Sequence, residues 1–132
     1  MNIVLDTNIF ISGIFWKGDP YKILLLWKDC KVQLISSIEI ITEISRTLSD
    51  FKIRLPEELQ KEWIHTITIN STIVEPKEKF TIIQDDPTDN KFIEAAIAGK
   101  AEYIITRDKH LLKIQQFRNV KIITPTEFLK NM

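Results

Sequence analysis

Tyr103-Ile104-Ile105-Thr106-Arg107-Asp108-Lys109-His110-Leu111-Leu112 sets the grammar of the whole chain. An apolar run stops at a threonine and a carboxylate, and a short helical stretch over Lys109 to Ile114 follows. A run this short, bounded by polar residues, reads as a strand buried on both faces. We place that strand at Tyr103 to Thr106. The same order opens the chain. Ile3, Val4 and Leu5 stop at Asp6 and Thr7-Asn8, which gives a strand from Asn2 to Asp6 and a helix from Ile9 to Phe15.

Outward from these two segments, Trp16-Lys17-Gly18-Asp19-Pro20 punctuates, and Tyr21 to Asp29 returns to helical spacing. Lys31 to Ile35 alternates like a second strand. Ser36 and Glu39 have the spacing of a capping box opening a helix to about Asp50, with Ile38, Ile41, Ile44, Ser45 and Leu48 in one stripe. Pro56 fits the first turn of a helix over Glu57 to Ile67. Ser71 to Val74 and Phe80 to Ile83 read as extended, separated by the charged stretch Glu75 to Lys79. Asp85-Asp86-Pro87-Thr88-Asp89 leads into a helix over 90–98, which packs Phe92, Ile93, Ala96 and Ile97 and ends at Gly99. Val120 to Ile123 is a last strand and Pro125 to Leu129 a last helix. Strands alternating with helices, with apolar runs on the strands, predict a parallel sheet covered on both faces. The expected fold is a three-layer α/β/α sandwich.

The 132 residues, 44% of them apolar, suffice for one sizeable core, and 3 Gly and 5 Pro mark no linker. One domain over residues 1–132 is expected. No basic leader precedes Asp6, and no apolar run reaches the roughly 18 residues of a membrane span, which predicts a cytoplasmic protein without a membrane segment. Cys30 stands alone, excluding an internal disulfide and a cysteine-based zinc cluster; we expect a buried thiol. The net charge of zero argues against binding nucleic acid by bulk electrostatics alone. The distribution is uneven. Residues 1–99 carry 11 Lys/Arg against 15 Asp/Glu, and residues 100–132 carry 7 against 3. The basic part includes Lys100, Arg107, Lys109, Lys113, Arg118 and Lys121; taken alone, such a run is a solvated face.

Ligands of an open parallel sheet bind outside the carboxyl ends of its strands. Asp6 ends the first strand, Asp108 follows the strand at Tyr103, and Asp89 opens the helix over 90–98. Each could equally be a helix N-cap, since Asp is favoured there and at the positive end of the helix dipole. Together they raise a different question, because carboxylates gathered at one edge repel one another unless a cation neutralises them. Oxygen-only clusters prefer hard ions, Mg²⁺ or Mn²⁺, which activate water and stabilise charge on a phosphodiester. That is the chemistry of a nuclease.

Val4-Leu5-Asp6-Thr7-Asn8, a Glu in the helix after the second strand, Asp86-Pro87-Thr88-Asp89-Asn90-Lys91-Phe92-Ile93-Glu94-Ala95-Ala96 and Ala101 to Leu112 together resemble the PIN domain, across essentially the whole chain. They are most similar to its bacterial and archaeal VapC-like branch, described as toxins of toxin-antitoxin pairs. The resemblance implies a five-stranded parallel sheet and four acids binding Mg²⁺ or Mn²⁺ for endoribonuclease action. By position, Asp6, Glu43, Asp89 and Asp108 are the catalytic acids, and Asp6, Asp89 and Asp108 the metal ligands. Glu43 rests on the resemblance, because Glu39 and Asp50 share its polar helix side. Thr106 and Asn8 support the site, Asp86 and Asn90 flank it, and Asn90 stands where many relatives carry a carboxylate. Arg107, Lys109 and Lys113 would position RNA phosphates. A small antitoxin blocking the acidic cleft and a homodimer are the implied partners.

His65 and His110 lack metal-ligand spacing and read as structural or solvated. Trp16, Trp27 and Trp63 read as core or seam residues, with Phe10, Ile14 and the segment around Trp16 as candidates for a dimer seam. The alternatives are an RNA-processing or structure-specific DNA nuclease on the same fold and a non-catalytic nucleic-acid-binding module.

Overall fold

In the computed structural model, which describes residues 1–50 and 52–132, the elements run β1 (Asn2–Leu5), α1 (Thr7–Phe15), α2 (Asp19–Lys28), β2 (Gln33–Ser36), α3 (Ile38–Leu48) and α4 (Glu57–Asn70). There follow β3 (Ser71–Ile73), a 3₁₀ turn (Pro87–Asp89), α5 (Asn90–Ala98), β4 (Tyr103–Ile105), α6 (Lys109–Leu112), β5 (Gln116–Phe117), β6 (Val120–Ile123) and α7 (Pro125–Lys130). The sheet order is β3-β2-β1-β4-β6-β5. Strands β3, β2, β1, β4 and β6 are parallel neighbours, and β5 pairs antiparallel with β6. Helices flank this sheet, as the alternation predicts.

The chain builds outward from β1 through β2 to β3, then returns to lay β4 on the other side of β1. The boundary between β1 and β4 is therefore the topological switch point, where the carboxyl ends of the strands open a crevice. Register fixes what meets there. Leu5 lies opposite Ile105, and the Asp6 amide donates to the Ile105 carbonyl at 3.1 Å, so the residues that follow each strand emerge side by side. Ile3, Val4, Ile104 and Ile105 are wholly buried, as central parallel strands require. Helix α5 packs on β1, β2 and β4. A Cβ at Gly99, just past its end, would overlap the Ile35 side chain on β2, so glycine permits that close approach.

Several expectations change. The sheet has six strands, not five, because Gln116–Phe117 folds back on β6 through a turn with Arg118 at φ 52°. Phe80–Ile83 joins no ladder; side chains of α5 hold its amides instead. Ser37, not Ser36, caps α3, its hydroxyl accepting from the Ile40 amide at 3.3 Å. The buried stripe accordingly runs through Ile40, Ile44 and Leu48, while Ile38 is 75% exposed. Cys30 is exposed, not buried, at φ 59°, where the chain leaves α2. Phe10 is core, not seam, meeting Trp27 and Trp63 edge to face. Trp16 is 66% exposed. His65 is exposed, and among the described residues no helix is long and apolar enough to cross a membrane.

Candidate metal centre

Asp6 leaves β1 as the N-cap of α1 and is buried. One carboxylate oxygen, Oδ1, accepts from the Asn8 amide at 3.2 Å; the other, Oδ2, accepts from the Thr106 hydroxyl at 2.7 Å. Thr106, wholly buried after β4, also accepts from the Asp108 amide at 2.9 Å. A single hydroxyl thus sets the spacing of two acids. Asn8 contributes through its backbone, and its side chain is exposed. Asp108 caps α6, its Oδ1 accepting from the His110 amide at 2.8 Å. The capping reading therefore describes one oxygen of Asp6 and one of Asp108. It does not describe Asp89, whose buried side chain makes no capping bond to α5.

The electrostatics bind these groups together. Burial, with the Asp108 and Glu43 charges adding to it, pushes the Asp6 carboxyl up despite its two hydrogen bonds. Asp89 is pushed up to about 7, first by burial, then by a hydrogen bond shared with Asp108 and by the charges of Asp86 and Asp6. Lys91 offsets this in part. Among the described residues no three acidic, histidine or cysteine side chains already surround one point as metal ligands do. The donor chemistry nonetheless fits a hard ion: Asp6, Asp89 and Asp108 bring only carboxylate oxygens to one edge, where their charges act on one another.

The remaining predicted residues take distinct positions. Glu43 faces the edge from α3, with its Oε2 2.6 Å from Lys91 Nζ. Asp86 accepts from the Thr88 hydroxyl at 2.6 Å and stiffens the turn before Asp89. Asn90 is buried and spent on backbone: Oδ1 accepts from the Ile82 and Ile83 amides, and Nδ2 donates to the Ile83 and Pro87 carbonyls. It shapes the loop and offers no ligand. Arg107 and Lys109 are exposed on either side of Asp108. Lys113 is paired with Asp85 at 3.0 Å, and His110 Nδ1 lies 3.1 Å from the same carboxylate. The Lys113 ammonium holds Asp85 below the ordinary carboxylate range.

Two residues escaped the sequence reading. Glu94 is buried in α5, and its Oε2 accepts from the Phe80 amide at 2.9 Å. Lys91, also buried, donates to the Thr88 carbonyl at 2.8 Å as well as meeting Glu43. The signal was present: a lysine in the first turn of a helix, with Phe92 and Ile93 following, stands where neither dipole nor burial favours a cation.

Solved structures that share the fold include three that are toxin-antitoxin complexes by name. VapBC2 from Rickettsia felis, solved bound to a DNA fragment from its promoter, aligns over 94% of this chain and 98% of that one, with TM-score 0.63 and 19% identity. FitAcB from Neisseria gonorrhoeae covers the same shares, 94% and 98%, with TM-score 0.52 and 17% identity. FitAB bound to an IR36 DNA fragment covers 93% and 94%, with TM-score 0.52 and 15% identity. No match was found among curated protein sequences. The family model described as PIN domain matches residues 2–110, which include β1, β4 and every acid of the switch-point edge, and the chain therefore belongs to the PIN domain family.

Proposed function

We propose that the chain is a Mg²⁺- or Mn²⁺-dependent endoribonuclease, the toxin of a toxin-antitoxin pair, acting in the cytoplasm. The observation that carries this reading is the geometry of the switch point, where the Thr106 hydroxyl donates to buried Asp6 and accepts from the Asp108 amide, and Asp89 is buried at the head of α5. Carboxylates whose ordinary ionisation the fold resists are groups waiting for a cation. Asp6, Asp89 and Asp108 would hold the ion, which when bound supplies Lewis acidity to a phosphodiester and lowers the pKa of the attacking water. Thr106 keeps Asp6 and Asp108 at fixed separation, so little reorganisation is needed. Arg107 and Lys109 flank the edge as phosphate-positioning cations, and Lys113 joins them once Asp85 yields.

A small antitoxin is the proposed partner, since the fold neighbours were solved as VapBC2 and FitAB. An apolar groove of about 730 Å³ among α1, α2 and α4, lined by Tyr21, Leu24, Leu25, Trp27 and Trp63, supports a protein partner. None of the acidic-edge residues lines it. The exposed Phe15 and Trp16 support the proposed homodimer.

The test is cleavage of total cellular RNA by purified protein in Mn²⁺, beside EDTA and an identically prepared Asp89→Asn variant. Discrete cleavage lost in both controls is expected. Equal cleavage by the variant would remove Asp89 from the reaction, and inactivity on RNA with cleavage of flapped DNA would replace the substrate.

A further inference from the structure

Lys91 sits in the first turn of α5, where the helix dipole disfavours a cation, yet its side chain is only 7% exposed. A buried ammonium persists when opposite charge and hydrogen bonds surround it. Here Nζ lies 2.6 Å from Glu43 Oε2 on α3 and donates to the Thr88 carbonyl at 2.8 Å. Its charge also acts on Asp89 two residues back. Lys91 and Glu43 line an open hollow of about 700 Å³ with Thr42, Arg46 and Thr88. The ammonium thus neutralises the α3 acid directly and acts on Asp89 of the switch-point acids.

We infer that Lys91 is a built-in cation that occupies the Glu43 side of the acidic edge, so that the site takes a single divalent ion on the Asp6, Asp89 and Asp108 side. Glu43 is then a positioning residue for the ammonium rather than a metal ligand. This rests on the metal-dependent reading above and names the number and place of its ions. A second ion against Glu43 has to displace an ammonium already hydrogen-bonded at short distance.

Manganese titrated into the purified full chain, counted by calorimetry and by loss of the free-ion paramagnetic signal, tests this. Wild type and Lys91→Arg are expected to bind one ion per chain. Lys91→Met, shown folded by circular dichroism, is expected to bind a second, weaker one. Glu43→Gln keeps an acceptor for the ammonium and covers the case in which Lys91→Met does not fold; its tight-ion affinity is expected close to wild type. A weakening of about tenfold or more, the effect that loss of even a supporting group produces, overturns the assignment of Glu43. Two ions in wild type, or one in folded Lys91→Met, overturn the role of Lys91 while leaving RNA cleavage intact. No ion bound and no cleavage by wild type would instead remove the metal-dependent function itself.

Discussion

Replacing Asp89 by asparagine removes a carboxyl that the fold holds at about 7 against an ordinary 3.8. The folded protein keeps that proton through a pH range in which the unfolded chain has released it. Stability therefore falls as pH rises from about 4 to 7, and the cost is complete above that window. The gap of about 3 pH units corresponds to a ceiling of about 4 kcal/mol. Neighbouring acids contribute to that shift and relax when one of them is replaced, so about 2 kcal/mol is the expected part. Asparagine keeps the size of the side chain and can donate to Asp108. Urea unfolding in EDTA should find Asp89→Asn more stable than wild type by about 2 kcal/mol at pH 8, with the advantage shrinking toward pH 4. Saturating Mn²⁺ should stabilise wild type more than the variant. A variant less stable than wild type at pH 8, or an advantage independent of pH, would refute the account of Asp89 as a carboxyl ionised against its surroundings.

Thr106→Val removes the donor to Asp6 and the acceptor for the Asp108 amide in a wholly buried position, and should cost about 2 to 3 kcal/mol in chemical denaturation. The same change should move the Asp6 carboxyl further up in an NMR titration, because the lost hydrogen bond holds it down. Asn90→Ala strips four backbone groups of their partner and should cost about 3 kcal/mol, with faster hydrogen exchange at Ile82 and Ile83 than in wild type.

Val120–Ile123 could be read to the residue because Val120 and Ile122 alternate with the exposed Lys121 between the turn at Arg118-Asn119 and Pro125. The acids of β1 and β4 were legible for a similar reason: a strand that ends in a carboxylate announces its own end and its cap together. The antiparallel β5 was not legible, since its two residues turn at Arg118-Asn119 without the glycine that usually marks such a hairpin. Phe80 to Ile83 reads as extended, and it joins no ladder because Glu94 and Asn90 satisfy the Phe80, Ile82 and Ile83 amides, a partnership that no period reveals. Cys30 misled because its position follows from the end of α2, whereas burial was inferred from residue type. Within the site, Lys91 was hidden in plain view, because a lysine is ordinarily assigned to solvent.

The Thr106–Asp6 hydrogen bond joins residues separated by 100 positions in the chain. A ribosome delivers Asp6 long before Thr106, and β4 gains its second neighbour only when β6 has also emerged. Throughout most of synthesis, then, Asp6 has neither its hydroxyl partner nor its companion acids. The acidic edge is a late-assembling feature of the polypeptide, and a nascent chain stopped short of residue 106 carries the first acid without the site.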